Sequence, residues 1–131
     1  MKKTSTSIKK KALAKIVPTI YVSIKTSMNN TILTATDSNG NTLGWSSGGT
    51  AGFKGSKRSS NYAAQVAGES LGKTLLSHNP SEIFIKLKGM GFNAESAIKG
   101  LKRGNNLPIK QIFDLTSIPF NGCRLKKRRR L

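Results

Sequence analysis

Acidic residues are scarce in this sequence: 5 Asp and Glu stand against 23 Lys and Arg among 131 residues. Two-metal phosphodiester chemistry needs several carboxylates converging on ions about 4 Å apart. Asp37, Glu69, Glu82, Glu95 and Asp114 are instead spread over a turn, two helices, a strand start and a late strand. Each is accounted for singly by a turn, a cap or a surface pairing, so a metal-dependent nuclease is set aside. One histidine, His78, leaves no zinc set, and one cysteine, Cys123, excludes an intrachain disulfide. These two are expected to be a polar helix end and a small packed thiol. No Ser or Cys has a His–acid relay to activate it. Apolar runs are short as well. None approaches the ~20 residues of a membrane span, and no amphipathic helix accompanies the basic C-terminus to lay it on a bilayer.

A nucleotide-cradling loop is also missing. A Walker loop requires Gly, four residues, then Gly-Lys-Ser/Thr. The nearest stretch, "GGTAGFKGS", puts Phe53 between Gly52 and Lys54, and Gly55 intrudes before Ser56. No Asp-bearing strand end follows to hold a metal. The sequence therefore implies no catalysis, no cofactor, no metal and no small-molecule substrate.

What is abundant is positive charge, +18 formally with a pI near 10.7. Charge of that size repels itself, and an anionic partner relieves the repulsion. Nucleic acid is the usual partner for a domain this basic. Hydrophobic content is a lean 36% but is grouped in periodic segments, which predicts one folded middle with unfolded ends. The expected division is a basic arm over 1–17, an α/β body over 18–118 and a basic tail over 119–131. "MKKTSTSIKKKALAK" has no apolar core of secretory length and no arginine. With Lys2, Lys3, Lys9, Lys10, Lys11 and Lys15 it reads as a solvated or RNA-bound arm.

After Pro18, "TIYVSIKTS" alternates Ile20, Val22 and Ile24 with polar residues, the period of a half-buried strand. "SMNNT" is a turn, and "TILTATD" a second strand. Asn39-Gly40 is a strong hairpin signal, leading into "TLGWSS" as a third strand. The period then changes. "NYAAQVAGESLGKTLLSH" carries Ala63, Ala64, Ala67, Leu71 and Leu75 at helical spacing, with Ser60 or Asn61 as N-cap. Gly68 and Gly72 weaken this helix unless its face lies close against a sheet. "EIFIKLKG" alternates again, and "AESAIKGLKRG" is a short helix capped by Asn93. "LPIKQIFDLTSIP" is a last strand. The order βββαβαβ predicts a mixed sheet of about five strands with two packed helices.

Three basic stretches would line one anionic partner. In "GFKGSKRSS", Lys54, Lys57 and Arg58 alternate with Gly55, Ser56 and further hydroxyls. Glycine lets backbone N–H groups approach phosphates, while the cations release counterions. In "KGMGFN", Lys88, Gly89 and Gly91 run into a helix N-terminus, an anion site in principle. In "NGCRLKKRRR" the charges gather on a tail able to order on a polyanion. The plainer alternatives are a solvated loop, an ordinary strand–helix turn and a solubilising run. Trp45 and Phe53 are candidates to stack on unpaired bases, with a core or rim role for Trp45 equally open. Asn29 and Asn30, beside Met28 at a hairpin tip, carry amides able to bond bases or sugars, or simply make the turn.

The residues resemble a specific family. "SMNNTILTATDSNGNTLGWSSGGTAGFKGSKRSSNYAAQVA", "KGMGFNAES" and "SIPFNGCRLKKRRR" match, in order and spacing, the ribosomal protein numbered eleven of the small subunit. The resemblance covers about Ile20 to Arg130. It implies a ribonuclease-H-like α/β fold without the nuclease's carboxylates and without catalysis. It also implies a place on the small-subunit platform, bound to ribosomal RNA near the messenger exit and the E-site side. Implied neighbours are the platform proteins numbered six, eighteen and seven, and in bacteria number twenty-one. Carried over by residue, the family's RNA-contacting loop falls on Gly52, Lys54, Gly55, Ser56, Lys57 and Arg58, and its hairpin-tip asparagines on Asn29 and Asn30. Its C-terminal extension falls on Asn121, Gly122, Arg124, Lys126, Lys127, Arg128, Arg129 and Arg130. The loop at Lys88, Gly89 and Gly91 departs from the family's usual "KGPGPGRES", with Met90, Phe92, Asn93 and Ala94 substituted, and the histidine before "NGCR" is Phe120. Such divergence in a Lys/Asn-rich chain with no import presequence suggests a mitochondrially encoded member, a plastid or bacterial one being the alternative. Beside this stands a second reading, a free RNA chaperone or nucleoid-type protein.

Overall fold

The computed structural model describes residues 16–103 and 105–131. The arm lysines from Lys2 to Lys15 lie outside the described residues. The elements follow the expected order: β1 (Thr19–Thr26), β2 (Thr31–Thr36), β3 (Thr42–Ser47), α1 (Asn61–Leu76), β4 (Glu82–Gly89), α2 (Asn93–Lys102) and β5 (Ile109–Asp114). They form a five-stranded sheet ordered β3-β2-β1-β4-β5. The hairpin-linked strands pair antiparallel, and β1–β4 and β4–β5 pair parallel across helical crossovers.

Alternation in the sequence becomes alternation of faces. Ile20, Val22 and Ile24 of β1 are fully buried on the helix side, as are Leu33 and Ala35 of β2 and Ile85 of β4. They meet Ala64, Ala67, Leu71 and Leu75 of α1 and Ala97 and Leu101 of α2 in one core. Burial of each large aliphatic side chain contributes about 1.5–3 kcal/mol, which offsets the ordering of the strands beneath. The opposite face stays partly solvated. There Tyr21 stacks on Phe84 at 5.5 Å, Phe84 on Phe113 at 6.3 Å, and the Lys86 ammonium lies 4.6 Å over the Tyr21 ring. Trp45, paired with Thr34, stands on this open face with 62% of its surface exposed, so it has no core role.

Several sequence expectations change. Gly68 and Gly72 do not serve the sheet. A Cβ on Gly68 would strike the Ala97 carbonyl oxygen, and one on Gly72 the Asn105 carboxamide. Gly100 of α2 answers from the other side, where a Cβ would strike the Gln65 carbonyl. The close approach is helix on helix. Asn93 does not cap α2: the cap position is Phe92, without a side-chain bond, and Asn93 is the first helical residue. Ser60, rather than Asn61, caps α1, its Oγ accepting the Ala63 N–H at 3.2 Å. The last strand ends at Asp114, short of Pro119. Cys123 is exposed, not packed, because the chain after β5 leaves the body.

Candidate nucleic-acid interface

Topology gathers the basic candidates before any side chain is considered. β1, β4 and β5 are parallel, so they finish at one end of the sheet. β2 starts there and β3 finishes there, because each runs antiparallel to its neighbour. The β1–β2 turn, the β3–α1 loop, the β4–α2 loop and the start of the C-terminal tail therefore share that end. Asp37 and Glu82 lie at the other, after β2 and at the start of β4.

Contacts tie these segments together. Gly48 lies between the hairpin tip and the basic loop, where a Cβ would sit 3.0 Å from the Arg58 carbonyl and 3.1 Å from Asn30 Oδ1. Asn30 also shapes its own turn, Oδ1 accepting the Thr31 N–H at 2.9 Å, while Asn29 is exposed. Thr26 and Gly89 are register partners, and Asn93 Nδ2 donates to the Ser59 carbonyl at 3.1 Å. After β5, the Leu115 N–H donates to the Leu87 carbonyl at 2.8 Å.

The loop itself is more ordered than its composition suggests. Thr50 Oγ1 accepts the Ser47 N–H at 2.7 Å and donates to the Ser47 carbonyl at 2.9 Å, closing the first bend. Gly55–Ser59 then make a 3-10 turn, a feature the sequence reading missed. Its cue was the Gly-Ser-Lys-Arg-Ser run ahead of the Ser60 cap. Gly52 and Gly55 take φ of +97° and +59°, which L side chains adopt at a cost, and open space surrounds both. Both positions are exposed, and the Gly52 N–H donates to the Gly49 carbonyl at 3.2 Å. Lys54, Lys57 and Arg58 are exposed, and none of the turn is buried. Phe53 is half-buried, its ring edge-on to Tyr62 at 5.7 Å, so it stiffens the loop more than it offers a face.

The cations of these loops take no part in the ion pairs found among the described residues. Among the described residues the ion pairs are Lys99–Glu95 at 2.7 Å, Arg103–Glu69 at 3.5 Å and Lys110–Glu82 at 2.6 Å. Lys99 also hydrogen-bonds Glu95 and holds its carboxyl below the usual range. Asp37 closes its own hairpin, its carboxylate accepting the N–H groups of Asn39 and Asn41 at 2.9 Å each. Asp114 accepts the Thr116 hydroxyl at 2.6 Å and its N–H at 3.1 Å, which lowers its carboxyl likewise. No carboxylate pairs with Lys54, Lys57, Arg58 or Lys88 among the described residues. The same set of residues holds no cluster of His, Cys, Asp or Glu able to bind a metal.

The structure does not bring every candidate together. Asn121 and Gly122 form a positive-φ bend, at +90° and +64°. Arg124 and Lys126 through Arg130 extend beyond it, exposed and without regular structure. Lys25, Ser27 and Asn61 join this end without having been singled out. Lys25 is the register partner of Lys88, and Asn61 opens α1 beside the basic turn.

Comparison with known proteins matches the sequence to one family. The model of the family described as ribosomal protein S11 matches residues 21–130. A small ribosomal subunit protein uS11 from Thermotoga maritima is 49% identical over 110 residues, covering 84% of each chain. Another from Methylorubrum populi is 41% identical over 131 residues, the full length of both.

Proposed function

The chain belongs to the ribosomal protein S11 family, and from that premise we propose that its basic sheet end binds small-subunit ribosomal RNA in the platform. It is a structural, non-enzymatic ribosomal protein of the small subunit and serves translation. The observation that carries the RNA reading is the convergence at one end of the sheet of Asn29, the Gly52–Arg58 loop and the Lys88–Gly91 loop. Among the described residues no ion pair involves their cations. Phosphates would be met by Lys54, Lys57, Arg58 and Lys88 and by loop N–H groups, with Asn29 and Asn30 on bases or sugars. The A-form major groove is too deep and narrow for side chains to read, so specificity comes from RNA shape and unpaired loops. In this reading residues 18–118 are the RNA-binding body, with 1–17 and 119–131 as arms that order on RNA.

Platform neighbours would be the proteins numbered six, eighteen, seven and twenty-one, with messenger RNA passing nearby. The proposed compartment is the mitochondrial ribosome, on the Lys/Asn-rich composition and the departures at Met90, Phe92, Asn93, Ala94 and Phe120. A bacterial cytoplasm is the second reading, favoured by the identity to two bacterial relatives. Sedimentation from the source cells tests the role: the protein is expected to co-migrate with small subunits through a high-salt wash. Recovery at the top of the gradient would instead favour a free RNA chaperone or nucleoid-type protein.

A further inference from the structure

Between the basic loops lies an apolar groove that phosphate binding does not explain. Met28, Met90 and Phe92 line it, with 90%, 81% and 88% of their surfaces exposed. Three large apolar side chains in water at the most cationic end of the molecule are costly unless something covers them.

The backbone beneath them is anchored, so their exposure is not that of a loose loop. Gly89 pairs with Thr26 so closely that a Cβ would strike the Thr26 carbonyl. On the far side Asn93 is buried and bonded to the Ser59 carbonyl. Met90 and Phe92 flank Gly91 between these two anchors. The Asn61 carboxamide on the groove's rim carries two N–H donors and a carbonyl acceptor.

We propose that this groove takes one unpaired nucleobase of RNA, stacked on the Phe92 ring between Met28 and Met90. The proposal rests on the ribosomal RNA reading above and adds a base-recognition site to it. Charge selects the occupant. Lys57 and Arg58 just precede Ser59 on its wall, and Lys25 and Lys88 line the neighbouring groove that shares Met90, so the surroundings favour a polyanion. A second copy of this +18 chain is repelled. The basic C-terminal tail is disfavoured for the same reason, and the first residues after β5 form the wall of a separate groove that shares Met90. A nucleobase carries its phosphate outward to the cations while its face remains apolar, the combination these walls require.

The test uses the full chain and a transcript of the small-subunit ribosomal RNA central domain, with affinity measured across salt concentrations. Phe92→Ala is expected to weaken binding about tenfold or more with an unchanged salt slope, since stacking releases no counterions. Phe92→Tyr retains affinity. In a W45F/F92W chain, the indole fluorescence is quenched on RNA addition, a readout that a merely structural role would not produce. Affinity within twofold of the parent for Phe92→Ala, or an unquenched indole, overturns the base site while leaving the phosphate reading intact. A loss confined to binding of a neighbouring ribosomal protein overturns it too. If the parent chain ignores the transcript, the ribosomal RNA reading itself fails and this site falls with it.

Discussion

Ser60 shows how one residue joins the body to the binding loop. Its Oγ accepts the Ala63 N–H at 3.2 Å and donates to the Lys57 carbonyl at 2.8 Å, so it caps α1 and closes the 3-10 turn at once. Replacing it with alanine is expected to cost about 1 kcal/mol of unfolding free energy, the usual worth of a serine cap. Urea denaturation at fixed salt measures this, and an unchanged midpoint would show that water replaces the cap. Other single residues serve the loops by subtraction. Asp37 and Asp114 use their carboxylates to shape the backbone around them, accepting neighbouring N–H and hydroxyl groups.

At the scale of elements, the helix pair depends on the absence of side chains. Alanine normally stabilises a helix interior by about 1 kcal/mol over glycine. Gly100→Ala is expected to reverse that sign and destabilise by about 1–3 kcal/mol, because the new methyl strikes the Gln65 carbonyl of α1. Thermal or urea unfolding decides it, and a stabilised variant would show that the helices separate freely. This contact also marks a limit of what the sequence tells. The β2 strand came from its β-type composition and β3 from the Asn39-Gly40 turn. Periodicity placed β1, β4 and α1 because each buries one face, and alternating or helical spacing records which face that is. The partner of that face is not recorded, so Gly68 and Gly72 were assigned to the sheet instead of α2. Asn93 matched a cap signal yet bonds the Ser59 carbonyl, 34 residues away in the chain. The basic loops were legible by composition, whereas their shared position followed from strand direction. The apolar groove between them was not legible at all, since Met28 and Phe92 meet only through the β1–β4 register.

For the whole molecule, the decisive quantity is charge and its placement. A net +18 on 131 residues opposes compaction, and among the described residues the ion pairs leave the cations of the Gly52–Arg58 loop and Lys88 out. Binding there should depend steeply on salt, because each neutralised phosphate releases counterions in proportion. The most direct test compares the parent chain with a Lys54→Ala, Lys57→Ala, Arg58→Ala variant on the central-domain RNA transcript, plotting log affinity against log salt. The expected result is a slope shallower by about two to three units, the worth of three phosphate contacts at roughly 0.7–0.9 each. An identical slope for the two proteins would mean that this loop touches no phosphate, and the account of the basic sheet end would be wrong.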